Sequence, residues 1–284
     1  MSWFSRSTSV VIAAFVVLSL LSPQGAAAAG RGSYQPLIPV SRPETACPVA
    51  RCSKNWAGYD VTGSPPYTSI GGTWTLPASG YQAPPPFGFG EVATWVGIGG
   101  LGSDHSLIQI GTTLAVKPGG KLVGYAWYEL LPMPPTLIPA ITVKPGDSFT
   151  AGVIATGPSP TTCPTAPCWT LRITNATLGQ TFSSPPLPYQ SSEASAEWIV
   201  EAPLLRLQGK KPVLVPLLEF PHPIYFDLNE VNEQSPAFTT REQVALFDPR
   251  GQTANPSAPD GNGDGFSVCW GSGTALSSCS PPSS

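Results

Sequence analysis

Charge is scarce in this chain. Only 11% of its 284 residues are charged, against roughly 25% in an ordinary soluble domain. The 14 Lys+Arg and 17 Asp+Glu form no run of either sign. The basic stripe that a nucleic acid or an anionic membrane surface requires is therefore missing, and neither is expected as a partner. Histidine is rarer still, with two residues, His105 and His222. The run Asp104-His105-Ser106 points alternate side chains to opposite faces of a strand, which spoils a relay among the three. Asp-Thr-Gly and Asp-Ser-Gly pairs, His-Glu-x-x-His and Gly-x-Ser-x-Gly are all absent, which removes the familiar aspartic, zinc and serine hydrolase signatures. Long helical windows are absent too. Punctuated by 35 prolines and 29 glycines, the chain has no window of 11 or more residues that shows a clean helical stripe free of them, so a helical protein is excluded.

What is present begins with an export signal: Arg6, the apolar run Val10 to Leu21, and the small residues Ala26 to Ala29. Residues 1–29 are read as a signal peptide, and the mature protein is expected to be secreted. The apolar run is too short for a span of about 20 residues, and no later segment is long enough. Residues 30–54, poor in apolar side chains and rich in proline, read as a linker or a propeptide segment. Residues 55–284 read as one domain, with no internal repeat, expected as a monomer. With every carboxylate protonated, only 14 Lys+Arg and 2 His would carry charge, which limits the self-repulsion that unfolds proteins in acid. A polar, uncharged secreted surface accounts for the same composition.

The six cysteines fall into local pairs, Cys47 with Cys52, Cys163 with Cys168 and Cys269 with Cys279. In an exported chain these are expected as disulfides, and no metal site is expected. Asp260-Gly261-Asn262-Gly263-Asp264-Gly265 resembles the front of a calcium loop, but its twelfth position is Gly271 where a bidentate Glu is needed, so a turn is the better reading. Asn175-Ala176-Thr177 has the form of a glycosylation acceptor.

Short β-branched and aromatic runs lie between the breaks: Tyr67 to Leu76, Glu91 to Ile98, Ser106 to Val116, Lys121 to Leu131, Ser148 to Ile154, Trp169 to Ile173, Ala196 to Val200, Val213 to Phe220, Ile224 to Leu228 and Gln243 to Phe247. Many short strands with turn signals predict an all-β sandwich or barrel. Three of them carry polar groups inside apolar sequence. Gln109 shares a face with Leu107 and Gly111; Glu197 and Glu201 share one with Ile199; Trp127 and Glu129 share another. Such faces can simply be solvated. As chemistry, Glu197 and Glu201 cannot act together, since four residues of strand separate them by roughly 13 Å. A working partner must come from a neighbouring strand, where opposed side chains lie about 5 Å apart, and the Gln109 amide would fit that place.

In this order the segments resemble the glutamic peptidases, or eqolisins, peptidase family G1. Asn55-Trp56-Ala57-Gly58 is similar to the family's opening strand. Ala93-Thr94-Trp95-Val96-Gly97-Ile98-Gly99-Gly100 is similar to its Trp-Val-Gly-Ile-Asp-Gly block, and Leu107-Ile108-Gln109-Ile110-Gly111 to the strand bearing its catalytic glutamine. Ala126-Trp127-Tyr128-Glu129 resembles its Ala-Trp-Tyr-Glu, and Ala196-Glu197-Trp198-Ile199-Val200-Glu201 the strand whose second glutamate is catalytic. The resemblance runs from about Asn55 to Trp270. It implies a bent, lectin-like sandwich of two large antiparallel sheets with the Gln and Glu strands side by side in an open cleft. It also implies an endopeptidase of protein or peptide substrates that uses Glu201 and Gln109 and needs no cofactor or metal. Trp127, Glu129, Trp56 and Glu197 are placed by it in the cleft or behind the pair. Free Glu titrates near about 4.3, which suits such a pair to acid. Two departures stand out: the family usually has Asp where this chain has Gly99, and another where it has Thr112-Thr113. The alternative is a secreted lectin-like binding module, with Trp56, Trp127 and Trp198 offered to a sugar.

Overall fold

The computed structural model describes residues 33–34, 47–206, 212–273 and 277–282; the expected signal peptide lies outside the described residues. In chain order the strands are β1 (Ser33–Tyr34), β2 (Arg51–Ser53), β3 (Trp56–Val61), β4 (Ser69–Thr75), β5 (Gly90–Gly99), β6 (Leu107–Val116), β7 (Leu122–Leu130), β8 (Thr136–Leu137), β9 (Ser148–Ser159), β10 (Cys163–Asn175), β11 (Gln180–Ser183), β12 (Leu187–Pro188), β13 (Ala196–Glu201), β14 (Leu204–Arg206), β15 (Val213–Leu214), β16 (Ile224–Val231), β17 (Gln243–Phe247), β18 (Gln252–Pro256) and β19 (Phe266–Ser272). Among the described residues the one helical turn is a 3₁₀ turn at Thr240–Glu242.

Edge-to-edge pairing follows the order β11-β10-β9-β4-β16-β19-β18-β17-β3-β13-β5-β6-β7-β8, with β1-β14-β15 as a small separate sheet. Among the described residues, pairing between these strands is antiparallel except between β2 and β17. The ribbon forms two layers because its strands alternate apolar residues on a shared face. Val96, Ile98, Ile108, Ile110, Trp198 and Val200 from one layer meet Trp74, Phe149, Val153, Leu171, Phe226 and Phe266 from the other in the main core. Tyr59, Phe238 and Phe266 pack with ring centroids 4.5–5.5 Å apart, within the range at which aromatic pairs gain beyond their buried area.

Local chemistry explains where the strands depart from the sequence reading. The expected strand Val213 to Phe220 shrinks to Val213–Leu214, because Pro216 has no N–H to give a ladder. Beyond it only the isolated bridges of Leu217 to Glu91 and Glu219 to Gln82 remain. Conversely, β18, Gln-Thr-Ala-Asn-Pro, shows no alternation in its sequence, yet all five residues are buried between β17 and β19. The three cysteine pairs close as disulfides, Cys47–Cys52, Cys163–Cys168 and Cys269–Cys279. Asp260 Oδ1 accepts N–H bonds from Gly263, Asp264 and Gly265, the form of a turn. Asn175 is fully buried and its Nδ2 is committed to Thr142 O and Asp147 Oδ2. The folded chain therefore withholds that glycosylation acceptor.

Part of segment 30–54 is built into the domain. β2 pairs in register with β17, and the Cys47–Cys52 disulfide packs on Ala245 and Phe247. Arg51 forms an ion pair with the fully buried Asp60, its Nε donating to Oδ2 at 2.9 Å. Removing one partner of such a pair costs about 3–5 kcal/mol. A chain begun at Cys47 is expected to melt close to one begun at Gly30. A chain begun at Asn55 should melt at least ~6 °C lower, at about 2 °C or more per kcal/mol for this size. Equal melting of the two truncated forms would show that β2 is dispensable.

Candidate active site

Behind the main core, the opposite face of β3, β13, β5, β6 and β7 carries a second cluster that includes Trp56, Ala93, Trp95, Trp127 and Ile199. Register arranges this face in rows across the strands. One row runs Glu201–Ala93–Thr113–Tyr125, the next Ile199–Trp95–Gly111–Trp127, and the third Glu197–Gly97–Gln109–Glu129. The Glu201 and Gln109 strands are therefore not side by side, as the family resemblance implied: β5 runs between them. What lets the two side chains share a space is the small size of what β5 presents in their rows, Ala93 and Gly97. Gly111 serves the middle row, since a Cβ there would sit 2.5 Å from that of Trp95.

Glu201, Gln109 and Glu129 open into one cleft walled by Tyr125, Trp127, Leu137, Pro135 and Pro203, with about 400 Å³ of empty space. Glu201 is 5% exposed. Its Oε1 accepts from Asn55 Nδ2 at 3.0 Å and its Oε2 from Trp95 Nε1 at 2.8 Å. Asn55 is itself set by Ser53, whose hydroxyl donates to Asn55 Oδ1 and accepts from the Asn55 and Trp56 amides. Burial pushes the Glu201 carboxyl up to about 7, against the pull of the Trp95 and Asn55 donors and of the nearby Trp56 indole, whose N–H makes no hydrogen bond of its own. Gln109 Nε2 donates to Glu129 Oε2 at 2.7 Å. Burial, then the charge of Glu201, push Glu129 up to about 9, with the Gln109 bond opposing.

The remaining expected residues separate into two groups. Trp127 walls the cleft and donates to Thr113 Oγ1 at 2.9 Å. Trp56 and Glu197 do not line it. Trp56 is fully buried, edge-on to Trp95 with ring centroids 5.1 Å apart. Glu197 is also fully buried, directly opposite Asp60. Its carboxyl is held well above the usual range by burial and by Asp104, against Ser195 and Arg51. Trp198 faces the main core and donates to Gly71 O. Of the three tryptophans offered to a sugar, then, only Trp127 reaches the cleft. Asn55 and Trp95, the donors that hold Glu201, were not singled out from sequence. The available signal was chemical: a buried indole N–H needs an acceptor, and an Asn opening an apolar strand needs a partner.

The departure at Gly99 has a backbone cause. Its φ is +86°, and a Cβ there would lie 2.1 Å from Ser106 O, so no side chain fits. At the other departure, Thr113 contributes the acceptor for Trp127.

The same fold is found in solved structures of two peptidases. Scytalido-glutamic peptidase with a transition state analog inhibitor is 22% identical, with a TM-score of 0.54, covering 77% of this chain and 98% of that one. SCP-B, a member of the eqolisin family in complex with the tripeptide Ala-Ile-His, is 21% identical, with a TM-score of 0.51 and the same two coverages. No curated protein sequence matches the chain. The model of the peptidase A4 family matches residues 54–254, most of the chain and every strand of the cleft, so this protein belongs to that family and is a peptide-bond hydrolase.

Proposed function

We propose that the protein is an exported endopeptidase working in acid, with Glu201 as general base and then general acid and Gln109 as oxyanion donor. One observation carries this reading: Glu201 and Gln109, from strands two apart, open into a single apolar-walled cleft. Ionised Glu201 takes a proton from a water, whose oxygen bonds to the peptide carbonyl carbon. Gln109 Nε2–H donates to the oxygen on which charge develops. Glu201 then returns the proton to the amide nitrogen as the C–N bond breaks, leaving a free carboxyl and a free amine. The tripeptide bound in the SCP-B complex supports a peptide as the ligand of this cleft. Trp127, Tyr125 and Leu137 would pack on its side chains. Three disulfides support an oxidising, extracellular setting, and among the described residues no helix is long and apolar enough to cross a membrane. The mature domain then starts at or before Cys47, with any removed segment upstream of it.

The raised Glu201 pKa acts in two directions. It makes the ionised base scarcer in acid, but it gives a stronger base and a ready proton donor for the leaving nitrogen. The test is hydrolysis of a denatured protein from about pH 2 to 9, with and without chelator, for the parent and Gln109→Ala. Cleavage confined below neutrality, indifferent to chelator and lowered about 10²–10³-fold in Gln109→Ala, is the expected result. Cleavage found only above neutrality would overturn the acid reading. An active Gln109→Ala would overturn the role of the amide.

A further inference from the structure

Gln109 and Glu129 stand directly opposite each other in the β6–β7 register and are 1% and 2% exposed. The bond from Gln109 Nε2 to Glu129 Oε2 uses one atom of each. Each residue has one oxygen left over, Gln109 Oε1 and Glu129 Oε1, and both are buried without a hydrogen-bond partner. An amide oxygen only accepts, and an ionised carboxylate only accepts. Two bare acceptors on buried side chains already joined by a bond make a poor arrangement. A single proton cures both, because a neutral acid and a primary amide pair by two parallel bonds.

Resting on the Glu201 and Gln109 reading, we infer that Glu129 works as a neutral acid that grips Gln109 twice, accepting N–H at Oε2 and donating O–H to Gln109 Oε1. The second amide N–H of Gln109 is then the one aimed at the substrate oxygen. Glu129 is a positioning residue, since it acts through Gln109. Donation into the amide oxygen also polarises the amide, which strengthens the remaining N–H as a donor.

The surroundings favour the proton. Glu201 faces Glu129 from β13 and Tyr189 from the loop before it. Tyr125 and Trp127 flank it on β7, Thr113 and Gln109 lie on β6, and Glu197 stands beyond Gly97 in the same row. None of these is a cation. Burial and the Glu201 charge accordingly raise the Glu129 carboxyl to about 9. Loss of that proton would break the second bond and set a negative charge beside the site where the oxyanion forms.

The test has a readout that needs no activity. The infrared difference between the parent and Glu129→Gln at pH 6 is expected to lose a protonated-carboxyl C=O stretch; loss of ionised-carboxylate bands would overturn the inference. In kinetics, Glu129→Met is expected to lower kcat about 10²–10³-fold, with KM changed little. Glu129→Gln, whose amide can also pair twice, should exceed Glu129→Met at least tenfold (about 1.4 kcal/mol). Parent-like rates in Glu129→Met would sink the positioning role. Should Glu201→Gln remain active while the infrared signal stands, the assignment of Glu201 falls and the acid–amide pair survives.

Discussion

Glu201→Gln is expected to lose about 10⁴-fold in kcat/KM, the upper end of what one proton-transfer group supplies, because the same side chain serves both halves of the reaction. The fold should survive. The replacement is isosteric and uncharged, and a neutral group suits a site that burial already biases toward the protonated form. Its one oxygen can accept from only one of the two donors, Asn55 Nδ2 and Trp95 Nε1. The other is left facing an NH₂, at a cost of about 1–3 kcal/mol. A melting point lowered by a few degrees beside an almost complete loss of turnover is therefore the signature to look for, measured on one preparation by thermal melting and peptide hydrolysis. A folded variant that cleaves within tenfold of the parent would move the base elsewhere, and Glu129 would be the next residue to change.

The sequence was informative about elements and poor about their arrangement. Alternation within Leu107–Val116, Leu122–Leu130 and Ala196–Glu201 placed Gln109, Glu129 and Glu201 on definite faces, and those faces open into one cleft. Strand order is a non-local property. Nothing within a strand says that β5 will lie between β13 and β6, so the adjacency of the Glu and Gln strands was misread. The small residues Ala93 and Gly97 carried the clue, but their meaning depends on which neighbours reach over them. Strands such as Gln252–Pro256 escaped for a related reason. Buried on both faces and held by flanking ladders, they need no alternation. Residues 47–54 looked like a linker because their contribution lies in one ion pair, one disulfide and the Ser53 hydroxyl, none of which shows as hydrophobic pattern.

The second large effect expected is on stability, and its sign follows from the three buried glutamates. Glu129, Glu197 and Glu201 all have folded pKa values raised above the ordinary carboxylate value. A raised acid binds its proton more tightly in the folded chain than in the unfolded one. Its stabilisation is complete below about pH 4.5 and is lost as pH climbs toward the folded value. For Glu201, raised from 4.5 to about 7, the loss is roughly 3 kcal/mol at about 1.4 kcal/mol per unit. Glu129 extends the loss toward pH 9. Glu197, with Asp60 opposite it and Arg51 and Asp104 nearby, adds to it in the same direction. Asp104, held low by Ser192, Gly100 and Ser106, works the other way, but only in strong acid. The melting temperature should therefore be higher at pH 4 than at pH 8 by at least ~6 °C, at about 2–4 °C per kcal/mol for a chain of this size. Glu197→Gln should narrow that gap, raising the melting temperature at pH 8 while shifting it little at pH 4, because only the ionised form of Glu197 is costly in the fold. A parent that melts equally at both values, or a Glu197→Gln variant that loses stability at pH 8, would mean that the charge on these carboxylates is met by solvent or by a cation in the folded protein.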